Sequence, residues 1–88
     1  FPYSASGKAL AIEEKEGFVK MLFDETTGEI LGCHMIGHNA TELIAEVTLA
    51  RRMEATEQDL LGTIHAHPTL SEMVHEAVGQ AFGEGVNF

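Results

Sequence analysis

The residues of this chain whose types and spacing could do chemistry lie in His65-Ala66-His67-Pro68-Thr69-Leu70-Ser71-Glu72. An imidazole takes up and releases protons near neutral pH without special help from its surroundings. A proline follows His67 directly, and an X–Pro bond can be cis, which makes a tight, fixed turn. A histidine on such a turn points in one direction. Glu72 lies five residues on, in the first turn of an expected helix, and that spacing can fold its carboxylate back towards the ring. A carboxylate that accepts a hydrogen bond from one ring nitrogen fixes the tautomer and makes the other nitrogen more basic. This is the arrangement a general acid–base needs, so His67 and Glu72 are the candidate catalytic residues.

Two other readings of the same residues stand beside this one. Thr69-x-x-Glu72 is also a capping box, in which Glu72 serves backbone N–H groups and His67 is a loop residue before a helix. Short motifs match by chance often enough that the residues alone favour this plainer reading without excluding the first. Alternatively, His65 and His67 form a His-x-His pair that could hold a metal. Zinc needs three or four convergent ligands at known spacing, and His34, His38 and His75 complete no such set. Pro68 also interrupts a regular strand. No metal site is expected. His34 reads as a satisfied core histidine, His38 as an exposed turn residue and His75 as a solvated one.

The elements that must position this segment follow from periodicity. KALAIEE (8–14) fits a strand or a short helix, its Lys, Ala and Glu favouring helix. FVKMLF (18–23) and ILGCHMI (30–36) read as strands joined through the polar loop 24–29, and the near-continuous apolarity of the second suggests burial on both faces. Asn39 with Glu42 can cap a helix whose apolar side is Leu43, Ile44, Val47, Ala50 and Met53. Arg51 and Arg52 suit its C-terminal end. Thr56 can cap a short helix through Leu61, ended by Gly62. A third helix is expected from about Thr69 to Phe82, with Met73, Val74, Ala77, Val78 and Ala81 inward. Strands first and helices after give an α+β fold: a small antiparallel sheet with about three helices packed on one face.

Composition narrows the function. The chain has 88 residues, enough for one domain. A domain this size buries only about 60–65% of the surface its unfolded chain exposes, so a second surface to dock on would help it. A net charge of −9, from 14 acidic and 5 basic side chains, argues against nucleic acid and against an anionic membrane. Cys33 is the one cysteine; it forms no internal disulfide and reads as a small buried hydrophobe. No apolar run is long enough for a transmembrane helix. The opening Phe1-Pro2-Tyr3 carries neither an initiator Met nor a signal sequence, which suggests a piece of a longer chain.

HAHPTLSE strongly resembles the hallmark segment of the dihydrolipoamide dehydrogenases. The likeness continues through FVKMLFDETTGEILGCHMIG (18–37), ATELIAEVTLA (40–50) and the ending FGEGVNF (82–88). Glutathione and trypanothione reductases share only the shorter His-Pro-Thr core and its Glu, and mercuric reductases lack this histidine. Gly37-His38-Asn39-Ala40 departs from the Gly-Pro and small residue usual in lipoamide enzymes, at a structural turn.

The resemblance implies a homodimeric flavoprotein with FAD, NAD and interface domains, of which residues 1–88 are the C-terminal interface domain. Its cysteine pair and Gly-rich dinucleotide fingerprint belong to other domains and do not occur here. The implied reaction oxidises dihydrolipoamide, passing electrons through that pair and FAD to NAD. His67 matches the family's base and Glu72 its partner carboxylate, both sent into the other subunit's active site. Main chain at His65, His67 and Pro68 would meet the partner's flavin, with Pro68 cis. The resemblance also implies service in a 2-oxo acid dehydrogenase or related lipoyl complex, in bacterial cytoplasm or mitochondrial matrix. The usual first strand and helix look absent ahead of Phe1, which would leave a sheet edge unpaired and self-association weak. The isolated chain is expected to bind no FAD and to turn over no substrate. Two alternatives remain: a non-catalytic interaction module of the same fold, or the equivalent domain of another disulfide reductase such as glutathione reductase.

Overall fold

Strand β1 (Gly17–Phe23) and strand β2 (Ile30–Gly37) form an antiparallel hairpin in the computed structural model, which describes residues 1–82. The closing residues 83–88 of the FGEGVNF likeness lie outside the described residues. Asp24 shapes the hairpin loop, its Oδ1 accepting from the amides of Thr26 (2.8 Å) and Thr27 (2.9 Å).

The register explains which side of the sheet is covered. Val19 pairs with Met35 and Met21 with Cys33, and these four face the core. Phe18 pairs with Ile36 and Lys20 with His34, and all four are exposed. An antiparallel hairpin commonly keeps one face open in this way. Two expectations therefore change. β2 is covered on one face, and His34 is an exposed residue opposite Lys20 rather than a core histidine. Cys33, on the covered face, is half-buried, and burial pushes its thiol up to about 11.

Among the described residues four helices accompany the hairpin. Residues 8–14 resolve to the helical alternative: α1 (Gly7–Ala11), capped by Ser6 Oγ, which accepts from the Ala9 amide at 3.2 Å. A 3₁₀ turn, Tyr3–Ala5, precedes it. A sheet edge was expected to lack a partner; the edge at β1 is met by Phe1 and Pro2, with Val19 N donating to Phe1 O at 2.8 Å and Pro2 bridging Phe18. Unpaired strand N–H and C=O groups favour such a partner. Tyr3 is fully buried and donates to the His38 carbonyl at 2.6 Å. Its ring lies so close to Gly37 that a Cβ there would fall 2.6 Å from it, and Gly37 has φ +142°, so glycine is required.

α2 (Ala40–Arg52) packs on β2 and buries Val47. The capping box expected at Asn39 does not form. Asn39 adopts φ 60°, a left-handed conformation that asparagine tolerates, and its side chain makes no cap. Met53, expected inward, is exposed just past the helix end. Thr56 caps α3 (Glu57–Leu61) as expected, with Asp59 Oδ2 accepting the Thr56 amide at 2.9 Å, and Gly62 follows its last residue.

α4 (Glu72–Ala81) packs on β1 and on α3, burying Met73, Val74, Ala77, Val78 and Gly79. It begins three residues later than the periodicity suggests. Leu70 turns into the core, and the chain enters the helix through tight bonds from Met73 N to Leu70 O and from Val74 N to Ser71 O, each 3.0 Å. Ala81 is exposed. The architecture is the α+β fold expected, with the core between the helices and one face of the hairpin.

Candidate functional site

The site stands where the loop from α3 enters α4. The His67–Pro68 peptide bond is cis. Beyond it, the first residue of α4 reaches back: His67 Nδ1 lies 3.0 Å from Glu72 Oε1 and 3.1 Å from Oε2. A carboxylate only accepts, so Nδ1 carries the proton and Nε2 is left as the basic nitrogen. The His67 side chain is 79% exposed, so this nitrogen is open to an approaching group.

The capping reading and the acid–base reading turn out to be compatible. Glu72 Oε1 also accepts the Thr69 amide at 3.0 Å. The Thr69 hydroxyl, by contrast, does not cap; it donates to the Ala66 carbonyl at 2.6 Å. One carboxylate thus orients the imidazole and anchors the helix entrance. Partial burial pushes the Glu72 carboxyl up, but the Thr69 amide, the His67 hydrogen bond and the positive charge that His67 and His65 carry whenever they are doubly protonated outweigh it. The carboxyl is held below its ordinary value and stays an acceptor. Glu72 borders two open clefts: one of about 320 Å³ shared with His67, Thr69, Ser6 and Gly7, the other of about 370 Å³ shared with His65, His75 and Glu76.

His65 turns away from His67. Its ring is 7% exposed, with Nε2 2.5 Å from Glu46 Oε2 on α2. It meets the half-buried His75 edge to face, ring centres 5.8 Å apart. The two rings of the His-x-His pair therefore diverge, and among the described residues no group of three or more His, Cys, Asp or Glu could hold a metal. Ala66, His67 and Pro68 lie at the surface. Glu46 was not legible as a partner of His65. A signal did exist: Glu46 sits between Leu43 and Val47 on the inward side of α2, where a carboxylate needs a partner.

With this geometry in place, comparison with known proteins assigns the family. The family described as pyridine nucleotide-disulphide oxidoreductase, dimerisation domain, matches residues 1–78. The chain belongs to that family. Among relatives of this dimerisation domain, the dihydrolipoyl dehydrogenase of Zymomonas mobilis is 48% identical over 88 residues, 100% of this chain and 19% of that protein. The dihydrolipoyl dehydrogenase of Chlorobaculum parvum is 57% identical over 75 residues, 85% of this chain and 16% of that protein. The crystal structure of LpdA from Mycobacterium tuberculosis superposes with a TM-score of 0.86 at 28% identity, covering 92% of this chain and 18% of that one. The dimerisation domain thus spans less than a fifth of the length of these relatives. Among the described residues no helix is long and apolar enough to cross a membrane.

Proposed function

We propose that residues 1–88 are the C-terminal dimerisation domain of a dihydrolipoyl dehydrogenase, and that His67 and Glu72 are the acid–base pair it supplies to the partner subunit's active site. The observation that carries this reading is the His67 Nδ1–Glu72 contact beside an exposed ring. The relatives' names supply the substrate. His67 Nε2 takes the proton from one thiol of dihydrolipoamide. The thiolate is the nucleophile in disulfide exchange, so it attacks the parent's cysteine disulfide. The second thiol closes lipoamide and leaves the cysteines reduced. Glu72 keeps Nδ1 protonated and stabilises the imidazolium while it holds the proton.

FAD and NAD, held by the parent's other domains, supply the passage of the two electrons from the reduced cysteines to nicotinamide. This chain has no Gly-rich phosphate loop and one cysteine, so its residues fit a flavin only from outside, through main chain at the exposed residues His67 and Pro68 and at His65 beside them. The partners are a second copy, the parent's FAD and NAD domains and a lipoyl-bearing 2-oxo acid dehydrogenase or related complex. The compartment is reducing, bacterial cytoplasm or mitochondrial matrix. The isolated domain is inactive.

The test uses the full-length parent with His67→Gln. General acid–base catalysis contributes roughly 10²–10⁴-fold, and dihydrolipoamide turnover should fall within that range. Electron transfer from NADH to an artificial acceptor, which needs no thiol deprotonated, should persist. Equal loss of both activities in a folded, flavin-loaded variant contradicts the assignment.

A further inference from the structure

We propose that Glu46 is a positioning residue for the His67–Glu72 pair, acting through its hydrogen bond to His65; this deepens the acid–base reading above and rests on it. Glu46 belongs to α2, and His65 opens the His-Pro turn nineteen residues later. The two meet at 2.5 Å, with the His65 ring almost wholly buried. Its other nitrogen, Nδ1, is buried without a hydrogen-bond partner among the described residues. The ring is therefore held by one hydrogen bond, to Glu46, and by the edge contact with His75. Because the carboxylate accepts, Nε2 carries the proton and Nδ1 is left as a bare lone pair, the tautomer that leaves no buried N–H unsatisfied.

Two residues on, His67 is in the opposite situation, exposed and gripped at Nδ1 by Glu72. Between them the Ala66 carbonyl is held by the Thr69 hydroxyl. The turn is thus tied at one end to α2 and at the other to α4. Adjacent Cα atoms are a fixed distance apart, so a shift at His65 reaches His67 within two links. Removing the Glu46 carboxylate would strand both nitrogens of a buried ring. A stranded buried polar group favours moving towards water, and the turn carrying His67 would move with it. A displacement of about 1 Å can cost on the order of 10²-fold in rate.

The experiment uses the full-length parent, assayed with dihydrolipoamide and with NADH plus an artificial acceptor. Glu46→Ala should lose up to about 10²-fold in kcat with dihydrolipoamide and keep the artificial-acceptor rate. Glu46→Gln, whose amide oxygen can accept the same Nε2 proton, should restore most of the loss. His67→Gln runs in parallel. If it leaves dihydrolipoamide turnover intact, the acid–base reading falls and the positioning role with it. If His67→Gln is impaired while Glu46→Ala matches wild type, the positioning role alone is overturned. Equal loss in Glu46→Ala and Glu46→Gln overturns the hydrogen-bond route. Should Glu46→Ala fail to fold, His65→Leu replaces it, with the same selective loss expected. Failure of both to give folded, flavin-loaded enzyme would show a structural strut and overturn the proposal.

Discussion

Helices α4 and α2 pack on the same hairpin, yet among the described residues α4 is much the more deeply buried. α4 buries five residues, among them Met73, Val74 and Val78, against β1 and α3. Among the described residues α2 buries Val47 alone, and Leu49 on it (64%) and Met53 just past its end (72%) are exposed. On the neighbouring strand β2, Leu31 and Ile36 are also exposed. Single exposed apolar residues are ordinary, and the contrast with α4 lies in how much apolar side chain each helix takes out of water. The difference is one of packing: the α4 side holds the fold together and carries Glu72 at its first residue, while the α2 side leaves more apolar surface exposed. A catalytic group is held more accurately on a well-packed element than on a loose one.

Substitution can break or sharpen this contrast. The largest stability effect should come from Met73→Ala, which empties a site 1% exposed in the core. A buried Met→Ala change costs about 2–5 kcal/mol, readable as a lowered melting temperature. Next, Glu72→Gln disturbs the helix entrance. Loss of a cap costs about 0.5–2 kcal/mol, and in the parent the same change should slow dihydrolipoamide turnover less than His67→Gln does, because the imidazole survives. This effect has a pH signature. The Glu72 carboxyl is held below its ordinary value of 4.5 in the folded chain. Its contribution is therefore present above that value and is lost as pH falls through the lower, folded one. Melting curves of wild type and Glu72→Gln should differ most near neutrality and converge in acid; a constant gap would mean the carboxylate's charge is not what stabilises the turn. Smallest of all, Met53→Ala in the isolated domain should change stability by about 0.5 kcal/mol or less, as surface changes do. A large effect there would show that α2 is already part of the core.

The legible parts of the fold were those set by local chemistry. The hairpin followed from two apolar runs around a polar loop, α3 from its Thr56 cap, and α4 from its inward Met73, Val74, Ala77 and Val78. Five-residue spacing across a turn allowed the His67–Glu72 contact, although the residues alone favoured the cap; the structure has both. What failed depended on the third dimension. Asn39 looked like a cap, but it takes the left-handed conformation a cap residue does not use. His34 looked buried because its strand is apolar, yet strand residues alternate and the register puts it opposite Lys20 on the open face. The same open face made β2 look doubly covered: in the sequence, an apolar residue on an open face is indistinguishable from one facing the core. Glu46 was missed because its partner lies nineteen residues away, beyond any local period.

The central claim is that His67 serves the active site of the other subunit, and mixed dimers of the parent test it most directly. One subunit would carry His67→Gln with its cysteine pair intact; the other would keep His67 and have that pair replaced by alanine. If the histidine acts across the interface, one of the two sites in each mixed dimer combines intact cysteines with an intact His67. Such dimers should recover about half the wild-type dihydrolipoamide turnover, while each parent homodimer stays near background. Background activity in folded, flavin-loaded mixed dimers would contradict the claim, since each subunit would then depend on a histidine of its own.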